Sequence, residues 1–279
     1  MDNQKIWFVT GASKGLGLSL VKKLLNEGFK VIATSRKLNE LTDAAGAETA
    51  NFLPLVLDLT NEESIAQAIA SGIERFGKID VVVNNAGYGL TGSLEELSDG
   101  EARANFDINV FGTLNVIRNV MPHFRAQHSG HIFNIASIGG YTGGFPGFGI
   151  YCATKFAVAG FSESLAAEAK PFGVNVTVVY PGYFRTNFLS SGSLLTPVHQ
   201  IDAYQEVREI EAVHQNSIDG NQAGDPEKAA EALIGVVANE NPPLHLFLGA
   251  DAYERANEKI AQVQQALEEW KTVTVNTGF

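Results

Sequence analysis

The sequence predicts an α/β fold, a doubly wound sheet of seven parallel strands with helices on both faces. Three observations point there. Short apolar runs alternate with longer segments whose apolar residues recur at helical spacing. The runs are nearly continuous in apolar character, as strands covered on both faces are. A glycine-rich turn with Gly11, Gly15 and Gly17 joins the first run to the first helical segment.

Taken in order, Ile6 to Thr10 is the first strand. Behind the turn, Leu16, Leu20, Val21, Leu24 and Leu25 repeat at helical spacing, and Gly28 offers a stop. Lys30 to Thr34 is the second strand and Phe52 to Leu57 the third. Thr60-Asn61-Glu62-Glu63 carries capping-box chemistry and opens a helix to about Phe76. Ile79 to Val83 is the fourth strand, leading into Asn84-Asn85-Ala86-Gly87. One long amphipathic helix is expected from about Ser98 to Pro122. His131 to Ile135 is the fifth strand, followed by Ser137 and a loop of glycines and aromatics through Gly149. Tyr151 to about Lys170 is a helix, Val174 to Val179 the sixth strand, and Leu244 to Leu248 the seventh.

Residues 183–224 break this rhythm. Their apolar residues have no period, and the segment reads as an irregular lid over a substrate. Asp225-Pro226-Glu227 restarts a helix with an N-cap and a proline at its first position. A helical extension is expected over 252–271, with Ala256, Ile260, Val263 and Leu267 along one side, before a loose tail. No linker, repeat or charge block divides the chain, so residues 1–279 read as one domain.

The net charge of −11 argues against nucleic acid or an anionic membrane as partner. No stretch approaches the ~20 apolar residues of a membrane helix. Cys152 is the only cysteine, which excludes an internal disulfide and suggests a reducing, cytoplasmic setting. The six histidines show no ligand spacing, so no metal is expected, and no G-K-[ST] phosphate loop occurs.

The chemistry gathers at the carboxyl ends of the strands, where ligands bind in such sheets. Glycines between a strand and a helix allow a tight turn and bring a pyrophosphate onto the helix N-terminus. After the second strand stands Ser35-Arg36-Lys37, where an NAD-specific site would place a carboxylate for the ribose 2′-hydroxyl. Arg36 can instead clamp a 2′-phosphate, with Lys14 approaching from the other side, so NADP(H) is the expected cofactor. Tyr151 alone among the seven tyrosines has a lysine, Lys155, four residues on. On one helical face, the ammonium would lower the phenol pKa and make an acid/base for neutral pH. Ser137 reaches the same edge and can share a substrate oxygen with Tyr151.

Together these motifs resemble the short-chain dehydrogenase/reductase family. They are T-G-x-x-x-G-x-G at Thr10 to Gly17, N-N-A-G at Asn84 to Gly87, N-V-x-G at Asn109 to Gly112, Ser137, Y-x-x-x-K at Tyr151 to Lys155, and P-G with a later threonine at Pro181, Gly182 and Thr186. The likeness runs from Ile6 to about Leu248. Asn84 to Leu97 and Pro181 to Leu189 look most like the hydroxysteroid-dehydrogenase-like and ketoreductase branch.

The resemblance implies a Rossmann fold and hydride exchange between a nicotinamide and a carbonyl carbon. Tyr151 would be the acid/base, Lys155 would hold the nicotinamide ribose, and Ser137 would polarise the substrate oxygen. Asn109 would hold a water that extends the proton relay. Cofactor contacts would come from Gly11, Ser13, Lys14, Gly15, Leu16 and Gly17, from Arg36, and from Asp58 and Leu59 near the adenine. Asn85, Ala86 and Gly87 would form the floor, with Pro181, Gly182, Phe184 and Thr186 at the nicotinamide end.

Aromatics crowd the loops around these motifs. Tyr88, Tyr141, Phe145, Phe148, Tyr183, Phe188 and Leu189 are expected to line an apolar substrate pocket. The expected activity is NADPH-dependent reduction of a hydrophobic ketone or aldehyde. The alternatives are a catalytically silent NADP-binding sensor or scaffold, and a ketoacyl-carrier-protein reductase. In the family, helices like those from Ser98 and Tyr151 pair about a two-fold axis, which implies a homodimer or homotetramer. Two departures stand out. Ala136 replaces a common second serine, and Leu244 to Asp251 lacks the usual V-D-G-G ending.

Overall fold

The computed structural model describes residues 5–190 and 192–279. In chain order the strands are β1 (Ile6–Val9), β2 (Lys30–Ser35), β3 (Phe52–Val56), β4 (Val81–Asn84), β5 (Gly89–Leu90), β6 (Gly130–Ile135), β7 (Val174–Pro181), β8 (Leu194–Leu195) and β9 (His245–Leu248). Seven of them form one parallel sheet in the order β3-β2-β1-β4-β6-β7-β9. β5 and β8 pair separately.

The helices are α1 (Gly15–Asn26), α2 (Leu38–Ala45), α3 (Glu62–Phe76), α4 (Asp99–Phe106), α5 (Thr113–Gln127), α6 (Gly149–Ala169), α7 (Gln205–Val213), α8 (Pro226–Val237), α9 (Ala250–Glu269) and α10 (Lys271–Val275). Strand alternation divides the core in two. Ile6, Phe8 and Ile32 face one side, under Ile65 and Ile69 of α3, Val116 and Val120 of α5, and Leu165 of α6. Trp7, Val9 and Val31 face the other, under Leu20 and Leu24 of α1, Leu41 of α2, and Leu233 and Ile234 of α8. Burial on both faces explains why the strands read as unbroken apolar runs.

Several elements differ from the sequence expectation. α2 is absent from the sequence expectation; its eight residues are too short for a long periodic run and bury only Leu41. The cap of α3 is Asn61, whose Oδ1 accepts the amides of Glu63 and Ser64. Thr60 instead donates its amide and hydroxyl to Asp58. A capping box does form at Ser98 with Glu101. The helix expected from Ser98 to Pro122 is interrupted by a π-helical stretch, Asp107–Gly112, and α5 continues past Pro122 to Gln127.

The segment over 183–224 is not irregular throughout. It holds β8, α7 and a π-helical turn, His214–Ile218. α9 begins at Ala250 and buries only Ala252 and Ala256, so Ile260, Val263 and Leu267 are exposed. The expected loose tail contains α10. No helix of the described residues is long and apolar enough to cross a membrane.

Candidate active site

A cleft of about 890 Å³ runs along the carboxyl edge of the main sheet. Its first wall is built from backbone. The Thr10 hydroxyl accepts the amides of Asn85 and Ala86, at 3.0 and 3.1 Å. Asn85 Nδ2 donates to the carbonyls of Thr10 and Gly11, both at 3.0 Å. These bonds stitch the end of β1 to the end of β4. Gly11 has φ +64°, and a Cβ there would stand 2.7 Å from Ala86 Cα. A Cβ on Gly17 would stand 2.4 Å from Asn85 Nδ2. α1 opens behind Lys14 with no side-chain cap, so its first amides are free to meet an anion. Gly11, Ser13, Lys14, Gly15 and Leu16 line this wall, whereas Gly17 lies beneath it.

Arg36 and Lys37 line the same wall beyond β2, together with Glu40. Lys37 Nζ donates to Glu40 at 2.7 Å. That bond, and the positive field of Lys37, Lys14 and Arg36, hold the Glu40 carboxyl below its usual range despite some desolvation. The acid absent from the position after β2 thus enters from α2. Lys14 Nζ donates to the carbonyl of Gly192 at 3.2 Å, tying the glycine turn to the lid. Leu59, Asn85, Ala86, Gly87, Pro181, Gly182, Phe184 and Thr186 also line the cleft. Asp58 does not; its carboxylate turns to Thr60.

The chemical groups stand midway along the cleft. α6 places Tyr151 and Lys155 one turn apart, both buried, with Nζ 5.8 Å from the phenol ring centroid. Lys155 Nζ donates to the carbonyl of Ile135 at 2.8 Å. Burial pushes its pKa down to about 8. Burial also raises the Tyr151 phenol well above its ordinary range, while the Ser137 hydroxyl beside it pulls the other way. The sequence expected a lysine-depressed phenol. In the chain alone desolvation wins, because the ammonium is engaged with Ile135 and is itself desolvated.

Ser137, Tyr151 and Lys155 all line the cleft; Asn109 does not. Its Oδ1 accepts the Tyr88 amide, and its Nδ2 donates to the Tyr88 carbonyl and the Thr154 hydroxyl, each at 3.0 Å. Its side chain is therefore committed to clamping the segment after β4 onto α6. Asn105 donates to the same carbonyl, a supporting contact that no motif announced.

The second wall is built from rings. The Tyr151 ring centroid lies 6.4 Å from Phe148 and 6.0 Å from Phe188. Tyr88, Phe145, Phe148, Tyr183, Phe188 and Leu189 line the cleft. Tyr141 does not; its ring packs on Tyr180 and Phe247 at 5.6 and 5.0 Å. Sequence reasoning missed Cys152, Leu195, His214 and Gln222, which line it too. None carries a local signal, since each reaches the cleft only through the path of the lid or its own α6 turn.

The lid is held by buried charge. Glu96 accepts the amides of Ile201 and Ser93 and the Arg208 guanidinium, at 2.9, 2.8 and 2.9 Å. Burial alone would raise its pKa; these three contacts, with the Ser93 hydroxyl, outweigh it and hold the carboxyl below its usual range. Arg208 also stands 3.0 Å from Glu211.

Comparison with known proteins agrees with this geometry. Residues 5–193 match the short chain dehydrogenase family. The chain is 38% identical to oxidoreductase BOA17 of Botryotinia fuckeliana over 274 residues, which covers 97% of this chain and 98% of that protein. It is 36% identical to the 3-ketodihydrosphingosine reductase of Bacteroides thetaiotaomicron, covering 88% of each. A short-chain dehydrogenase from Streptomyces avermitilis superposes with a TM-score of 0.90 at 37% identity, covering 99% of this chain and 98% of that one. The chain therefore belongs to the short-chain dehydrogenase family and is an oxidoreductase of that family.

Proposed function

We propose that the protein is an NADPH-dependent reductase of hydrophobic ketones. One observation carries the reading: Ser137, Tyr151 and Lys155 meet in one cleft, between a wall of free amides and cations and a wall of aromatic rings. The residues present fit a dinucleotide. The uncapped N-terminus of α1 suits its pyrophosphate, and the Gly11 turn leaves no room for a side chain between β1 and β4. Arg36 and Lys37 suit a 2′-phosphate, with Lys14 close to them. When bound, the reduced nicotinamide supplies a hydride.

The chain supplies the rest. Ser137 donates a hydrogen bond to the substrate oxygen, and Tyr151 donates the proton. A phenol that burial keeps protonated is in the state that reduction requires. Lys155 keeps a positive charge beneath it below pH about 8. The rings of Phe148 and Phe188 exclude water around the reacting atoms. The relative named for reducing a ketone, 36% identical, supports the same substrate class.

The test is a screen of neutral ketones, aldehydes and the matching alcohols with NADPH and NADH, following absorbance of the reduced nicotinamide. Reduction of bulky neutral ketones at least tenfold better with NADPH is expected. Preference for NADH or for carboxylate substrates would overturn the reading. We propose two-fold assembly as well. Phe111 on the π-helical stretch and Phe156 on α6 are 52% and 43% exposed, rings that a helix-to-helix contact between two copies would cover. A monomer by sedimentation at micromolar concentration would refute it.

A further inference from the structure

The turn after β7 borders the cleft, and its anchors come from elsewhere in the chain. Pro181, Gly182 and Tyr183 line the cleft where β7 passes into the lid, with Thr186 just beyond. Two backbone bonds hold the turn. Gly182 N donates to the Leu248 carbonyl at 2.8 Å, and Gly224 N donates to the Tyr183 carbonyl at 3.0 Å. The third anchor is a side chain of the C-terminal extension. Tyr183 N donates to Asp251 Oδ2 at 2.8 Å, across 68 residues of sequence.

Asp251 stands in the first turn of α9, where a carboxylate ordinarily favours its own helix. Here no side chain caps α9, and the cap position is Gly249 with φ +104°. Space is kept for the carboxylate on both sides. A Cβ on Gly182 would overlap both of its oxygens, and one on Gly249 would stand 2.5 Å from Oδ1. These glycines follow the neighbouring strands β7 and β9, so the carboxylate sits between two strand ends. The same turns of α9 meet the substrate wall. Ala252 and Ala256 pack with Ile138 against Tyr141 and Phe145, and the Arg255 guanidinium lies 5.0 Å from the Phe145 ring centroid.

We propose that Asp251 is a positioning residue for the reaction. Through the Tyr183 amide it sets the turn at the nicotinamide end of the cleft, so the first turn of α9 completes the active site. Asp251 does not itself line the cleft and acts only through the backbone it holds. Hydride transfer needs the reacting carbons in a near-attack geometry, and a misplacement of about 1 Å can cost on the order of 10²-fold. This inference rests on the reductase reading for what the turn positions.

The test compares Asp251→Ala, Asp251→Asn, Gly182→Ala and the double variant Gly182→Ala/Asp251→Ala, each in the full chain. The assay uses NADPH with 4-phenylbutan-2-one or the fastest of the neutral ketones. Asp251→Ala should lower kcat by about 10- to 100-fold, with Kd for NADPH, read by its fluorescence, moving less than about twofold. Asp251→Asn keeps an oxygen that accepts the amide and should retain kcat within about threefold. Gly182→Ala displaces the carboxylate and should resemble Asp251→Ala. In the double variant the added methyl meets no carboxylate, so the two losses should not multiply. Hydrogen exchange over residues 182–188 in the cofactor-free chain should quicken by about tenfold or more in Asp251→Ala and hold steady in Asp251→Asn. The proposal is overturned by normal kcat or unmoved exchange in Asp251→Ala, or by Asp251→Asn as slow as Asp251→Ala. An equal loss of NADPH affinity, or losses that multiply, would overturn it too. Absence of turnover with every ketone in the unaltered chain would overturn the reductase reading, while the exchange rates still decide whether Asp251 holds the turn.

Discussion

The two walls of the cleft solve the same problem by different means. On the cofactor wall, backbone meets backbone. Thr10, Gly11, Asn85 and Ala86 lie on neighbouring strand ends and interlock through bonds near 3.0 Å that leave no space for a side chain. On the substrate wall, side chains from distant parts of the chain lean on one another. Arg208 reaches Glu96 across 112 residues of sequence, and Tyr183 reaches His214 across 31. The first wall is rigid because the sheet holds it. The second is held by a few buried polar contacts on a lid, and its shape can change without disturbing the sheet. Recognition of a shared cofactor belongs on the first and discrimination among substrates on the second.

The comparison can be broken most sharply at the point where the walls meet. Tyr151→Phe keeps the ring and removes the proton, so kcat should fall by ~10²- to 10⁴-fold while NADPH still binds, as fluorescence titration would read. Near-normal turnover would mean that neither wall positions the chemistry proposed for it.

Loosening only the substrate wall is the next test. Glu96→Ala strips the buried acceptor from the Ile201 and Ser93 amides and one of two carboxylates from the half-buried Arg208, and groups left unpaired in this way cost about 1–3 kcal/mol each. The lid should lose its hold, with KM for the ketone rising by about tenfold or more and KM for NADPH moving much less. Equal rises in both would show that the lid and the cofactor wall are one unit, for instance through the Lys14 to Gly192 contact.

Disturbing only the cofactor wall should produce the complementary pattern. Arg36→Ala should raise KM for NADPH by about tenfold, and far more than that for NADH. Glu40→Gln should act in the opposite direction and more weakly. Removing the carboxylate that Lys37 now holds should lower KM for NADPH by about two- to fivefold, with the gain shrinking in salt. An unchanged NADPH preference in both variants would show that this cluster does not read the 2′-phosphate.

The gentlest test is pH. Burial lowers the folded pKa of Lys155 to about 8, so its ammonium is present below that pH and lost above it. The Tyr151 phenol, shifted upward, stays protonated through the same range. kcat/KM for NADPH should therefore decline above pH about 8, approaching tenfold per unit, while the acid limb owes nothing to either group. A flat profile to pH 10 would place the lysine pKa near its ordinary value and remove the desolvation argument.

The sequence by itself determined the sheet, its strand order of chemistry, and most of the cofactor wall. Apolar runs such as Val81 to Val83 are strands because a short run buried on both faces suits a covered sheet, and the glycines are readable because backbone contact demands them locally. Tyr151 and Lys155 were legible for the same reason, since one helical turn relates them. Tertiary structure alone decided the rest. It put Glu40 among the cations from a short helix that buries only Leu41, turned Asp58 away to Thr60, and spent the Asn109 side chain on Tyr88. It buried Tyr151 and Lys155 deeply enough that desolvation, not their mutual charge, sets their pKa values. It moved Tyr141 into packing and brought His214 and Gln222 into the cleft. Local spacing encodes what a strand, a turn or a helix does with its neighbours along the chain. Burial and partnership across the lid depend on where a long connection folds back, and no short-range pattern records that path.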